Sequence, residues 1–209
     1  MYTVFIGGHM RKIFFGFLFV MVRLLIGGFD IFPDPIGYGL IYLGASELID
    51  RAPQFRQLKN IAVVGALFTL AVLGFDVLAF SRGAGPAAIL VVSILSSAAG
   101  LVIIYVCGSK LMEAFGALPL NEEGTTALDT MKRNWTNYFT AMAISTGVVM
   151  YILMNPNPSA FMIVLVAGIL SLVFAVMFLV RLHRFTRDEV NGLFTPPPAP
   201  PQYESYYED

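Results

Sequence analysis

The chain has 209 residues, 57% of them hydrophobic and 13% charged, with a mean hydropathy of +0.74 and a formal net charge of −1. Such a composition is too apolar for a water-solvated globule, so lipid is the expected solvent. The near-neutral charge, without a long basic run, excludes a phosphate-binding stripe and removes nucleic acid from the expected partners.

The N-terminal region places Arg11 and Lys12 before an apolar stretch, 13–29, that is interrupted by Arg23. A signal peptide would show an unbroken apolar core and a small-residue cleavage site, so this stretch reads as a retained helix. It runs into "GGFDIFPDPIGYG", 27–39, where Asp30, Asp34, Pro33 and Pro35 break the apolar pattern. The segment reads as a tight connection between two membrane helices on the non-cytoplasmic side. The next apolar run, 35–45, is about half a span before Ser46 and Glu47 appear.

A bilayer-crossing helix needs about 20 mostly apolar residues. Residues 61–80, broken only by Asp76, meet that standard, as do the uncharged windows 87–106 and 160–180. A shorter uncharged window, 138–154, is closed by the turn signal "NPNPS". Cys107 ends the second long window and excludes both an internal disulfide framework and a CxxC metal pair; a small packed side chain is expected there. Between 109 and 137, Thr125 and Thr126 are placed to start a short surface helix, with Asp129 early and Lys132 and Arg133 late. Trp135, Tyr138 and Phe139 then fall at the expected headgroup boundary. The spaced pairs Ser96/Gly100, Ala143/Gly147 and Ala167/Ser171 read as helix-packing surfaces. After a transmembrane domain spanning 1–187, the stretch 188–209 contains "TPPPAPPQYESYYED", which cannot build a core and reads as an extended tail with a WW-ligand-like "PPQY".

Lys and Arg collect on the cytoplasmic side of membrane proteins. If both weak N-terminal segments cross, one side holds Arg11, Lys12, Arg51, Arg56, Lys59, Lys110, Lys132, Arg133, Arg181, Arg184 and Arg187, while Arg82 stands alone on the other. The expected fold is therefore all-α: a six-helix transmembrane bundle of three helical hairpins, with both termini cytoplasmic. A re-entrant second segment, leaving five spans, is the alternative; Pro33, Pro35, Gly37 and Gly39 suit non-helical backbone. The echo of "GGFDIF" in "LGFDVL" is a faint sign of internal duplication.

Chemistry-bearing residues are few. Arg23 within a span costs about 2.5–3.5 kcal/mol on insertion scales and calls for compensation. Asp30, Asp34 and Asp76 are geometrically able to cluster with it under the outer face. Arg23, Asp30, Asp34, Tyr38 and Asp76 form the candidate binding set, a polar pocket for a small solute or ion. The competing reading has Arg23 snorkelling or pairing to fix helix register, and the aspartates capping helices in interfacial water. No HExxH, GxSxG, P-loop or GxGxxG motif is present, and His9 and His183 lie at opposite ends, so no enzyme activity, metal or cofactor is expected.

The segment "DIFPDPIGYGLIYLGASEL", 30–48, resembles a (L/F)PDxIGYxLIxxG signature of small polytopic membrane proteins of Gram-positive bacteria, matched by Pro33, Asp34, Ile36, Gly37, Tyr38, Leu40, Ile41 and Gly44. That resemblance implies a multi-pass protein of the cell membrane and brings no activity with it; Pro35 stands where that family usually has a larger residue. Two functions follow from the whole reading. One is a small transport-type or solute-binding protein using the outward polar cluster. The other is a non-catalytic partner subunit or sensor, anchored by its bundle and engaging another protein through its cytoplasmic inner loop and tail; a membrane-protein partner or a second copy of the chain is the expected associate.

Overall fold

The computed structural model describes residues 6–21, 25–26, 29–30, 34–82, 85–154 and 158–187. They form six helices, α1 (Ile6–Met21), α2 (Asp34–Leu48), α3 (Phe55–Arg82), α4 (Pro86–Gly116), α5 (Glu122–Met154) and α6 (Pro158–Arg187). A two-residue antiparallel ladder, β1 (Leu25–Ile26) with β2 (Phe29–Asp30), lies between α1 and α2. The tail and Arg23 lie outside the described residues.

Helix boundaries follow local chemistry. In α2, Asp34 places a carboxylate at the positive end of the helix dipole, and Pro35 sits in the first turn, where its missing N–H costs nothing. In α4, Gly85 is the N-cap and Pro86 follows at the first helical position. In α5, the side-chain oxygen of Asn121 accepts from the Gly124 N–H at 2.8 Å, and Glu122 and Glu123 occupy the first turn. That cap starts α5 three residues earlier than Thr125, and no proline follows until 156. The expected long inner loop with a short surface helix is therefore corrected: α4 continues to Gly116, and α5 is one helix of 33 residues.

Among the described residues three helices are long and apolar enough to cross a membrane, over Phe55–Ala79, Ile94–Gly116 and Met162–Arg187. In an apolar 18-residue window of each, only 11%, 22% and 28% is buried within the protein, so most of each needs an apolar environment outside the chain. Neither α1 nor α2 is among these three: their 16 and 15 described residues rise about 24 and 22 Å, against a hydrocarbon core of about 30 Å.

Each helix packs on the next in sequence, and α6 closes on α1. The α1–α2 contact is at backbone distance: a Cβ on Gly16 would stand 2.6 Å from the Gly37 carbonyl oxygen, and one on Gly37 would stand 2.8 Å from that of Gly16. Gly65 of α3 receives the Tyr38 ring, three atoms of which lie 2.5–2.7 Å from where a Cβ would be. α3 then continues from Gly65 to Arg82, about 25 Å at 1.5 Å per residue, past the start of α2. The short pair therefore flanks only one end of the long helices.

That same end holds the core. Phe17, Trp135 and Phe178 form one aromatic layer, with centroid separations of 6.2 Å (Phe17–Trp135), 5.9 Å (Phe17–Phe178) and 4.9 Å (Trp135–Phe178). Phe55, Phe115 and Phe185 form a second, at 6.1 and 4.8 Å. Trp135 is thus 2% exposed, which corrects its expected place at the headgroup boundary; the reason is Gly108, whose missing side chain admits the indole against α4. Cys107 is fully buried, as a small packed residue should be, so a maleimide should leave the folded protein unmodified and react only after denaturation. Rapid labelling of native protein would contradict this packing.

Beyond the aromatic layers the helices present apolar side chains outward, among them Leu67, Leu70, Val77, Leu95, Ile169, Leu172 and Val176. Their hydroxyls turn inward on their own backbone: Thr69 donates to the Gly65 carbonyl at 2.9 Å and Ser171 to that of Gly168 at 2.8 Å. Such back-bonding satisfies a hydroxyl where no water is at hand. Ala167 and Ser171 are buried on α6, as the small-residue spacing implies, whereas Ala143 and Gly147 face outward, with open space around Gly147.

Candidate functional site

The sequence-derived polar set is only partly brought together. Arg23 lies outside the described residues, and for Asp30 the backbone alone is described, paired with Leu25 in the ladder. Asp34 and Tyr38 stand one turn apart at the start of α2, half-buried and buried respectively. Tyr38 uses its ring to fill the space over Gly65. Asp76 is exposed on α3, about three turns and 16 Å beyond Gly65 on nearly the same face, so it does not meet Tyr38. The family-like segment has a clear packing role: Gly37, Tyr38, Ile41 and Gly44 form the buried face of α2.

Two other features carry polar chemistry. At the packed end, the Trp135 Nε1 and Asn134 Nδ2 are buried donors with no acceptor among the described residues. Each such donor forfeits a hydrogen bond, a cost of about 1–3 kcal/mol unless a water fills the gap. Sequence reading passed over Asn134 because a lone asparagine next to basic residues looks like surface. On the outside of the same helices, Asn137, Thr140, Ala141 and Ile144 of α5 face Ile163, Val166, Leu170 and Phe174 of α6 across an open groove of about 610 Å³. A smaller cavity of about 460 Å³ lies towards the start of α5, lined by Glu122, Glu123, Thr126, Thr130 and Arg181. Among the described residues no group of three His, Cys, Asp or Glu side chains is placed to hold a metal ion.

The basic end is tied by charge as well as by rings. Lys12 of α1 bridges to Glu47 of α2 at 2.6 Å, Lys59 of α3 lies 5.0 Å from the Tyr42 ring, and the Phe14 ring meets His183 of α6 in a tilted contact at 4.9 Å. The Lys12–Glu47 pair is partly exposed, so Glu47→Gln should cost no more than about 1 kcal/mol in thermal unfolding. A larger loss would show that the pair, rather than the glycine contact, holds α1 on α2.

No family model, curated protein or solved structure matches the chain.

Proposed function

We propose that the chain is a multi-pass protein of the cell membrane that acts as a non-catalytic partner subunit or sensor. In this reading α3, α4, α5 and α6 cross the bilayer, and α1 and α2 enter the cytoplasmic half and return. The three apolar windows and the outward-facing apolar side chains support a membrane setting. The basic residues of the packed end support a cytoplasmic location for it. A pair of helices that enters and returns leaves the sides of all later loops unchanged, so the charge pattern is met equally well by four spans and by six. The resemblance of 30–48 to small membrane proteins is in keeping with both.

One observation favours a partner or sensor over a transporter. The axis at the packed end is filled by Phe17, Trp135 and Phe178, with Phe55, Phe115 and Phe185 behind them, where a conduit would need polar, hydrated walls. The transport-type reading keeps one point in its favour, the carboxylate of Asp76 on an otherwise apolar stretch of α3. Flux measurements in proteoliposomes separate the two. The plugged bundle predicts proton and small-solute leakage no greater than that of protein-free vesicles. Saturable flux that is abolished by Asp76→Asn would establish the transport reading instead.

A further inference from the structure

We infer that the α5–α6 groove is a binding site for one anionic glycerophospholipid of the cytoplasmic leaflet, an inference that rests on the membrane orientation proposed above. The groove has the chemistry of such a molecule laid along it. Its apolar part runs on α6 from Met162 to Phe174, about 18 Å, which is more than half the thickness of a hydrocarbon core of about 30 Å and room enough for an acyl chain laid along it. Asn137 and Thr140 form a polar lip at the end nearer the packed core, where a lipid's ester groups would lie.

Beyond that lip both helices continue into arginine. Arg133 precedes Asn137, Thr140 and Ile144 at helical spacing and so shares their face of α5. Arg181 continues the face of Ile163, Val166, Leu170 and Phe174 about two turns further along α6. Arg133 is exposed and Arg181 half-buried, and neither makes an ion pair with a described residue. Glu122 and Glu123 line the same cavity as Arg181 and temper its charge, leaving Arg133 the less shielded of the two. Two guanidinium groups beyond the polar end of an apolar groove suit a phosphodiester carrying acyl chains.

The test is native mass spectrometry of the full chain in detergent, titrated with phosphatidylglycerol or with phosphatidylcholine of the same acyl chains. The wild type should retain one phosphatidylglycerol at least about fivefold more strongly than phosphatidylcholine. The double variant Arg133→Gln/Arg181→Gln should lose that preference, while Arg51→Gln/Arg56→Gln, which removes two charges from the same end but off the groove, should keep it. Equal retention of the two lipids, equal losses in both double variants, or a lipid-free dimer would overturn the assignment. Failure of the membrane reading would look different: the wild type would then be monodisperse without detergent.

Discussion

Replacing Trp135 by alanine should lower the stability of the detergent-solubilised protein by about 3–5 kcal/mol, the largest loss expected from any single truncation. The side chain is 2% exposed and touches Phe17 of α1, Phe178 of α6 and Gly108 of α4, so its removal opens a cavity where three helices meet a fourth. Phenylalanine at the same position should cost much less, under about 2 kcal/mol, because the buried indole N–H it removes has no acceptor among the described residues. Thermal loss of helicity by circular dichroism reads both variants. If Trp135→Phe were as damaging as Trp135→Ala, the N–H would have a partner that matters.

The matching change on the other side of this contact is Gly108→Ala. A Cβ there would fall within 3.0 Å of three atoms of the indole ring, so α4 and α5 would have to separate. A destabilisation of about 1–3 kcal/mol is expected, against a neutral or slightly favourable Gly147→Ala, where the added methyl meets open space. The two sites should also be coupled: in the Trp135→Ala background the methyl at 108 fills vacated volume, and its cost should largely disappear. Additive losses would mean that the glycine serves backbone geometry rather than the ring.

The long helices were legible in the sequence because uninterrupted apolar runs report their solvent directly. The depth of the proposed α1–α2 pair is not legible in this way, since Lys and Arg counts register which side a loop is on and say nothing about how deep a returning pair would go. The polarity of the inner segment suggests a loop, but Asn121 caps a helix there and nothing between Glu122 and Met154 breaks it. Trp135 departs from its expected place for a non-local reason. An aromatic beside Lys132 and Arg133 looks interfacial until Gly108, on another helix, opens a space for it. Of the polar set, Tyr38 shows its role as the ring that covers Gly65, while Asp76 stands apart from it. The groove had a readable trace in the spacing of Arg133, Asn137, Thr140 and Ile144, but its apolar wall comes from α6 and emerges only when the two helices pack.

The proposed function requires that the long helices cross a bilayer with the aromatic end inside the cell. Because Cys107 is buried, it can remain in place while single cysteines are introduced at Gly85, Gln57 and Thr125, all exposed. A membrane-impermeant maleimide applied to intact cells should modify Gly85→Cys at once, and Gln57→Cys and Thr125→Cys only after permeabilisation. Reaction of Gly85→Cys and Gln57→Cys from the same side would mean that α3 does not cross, and would contradict the account at its base.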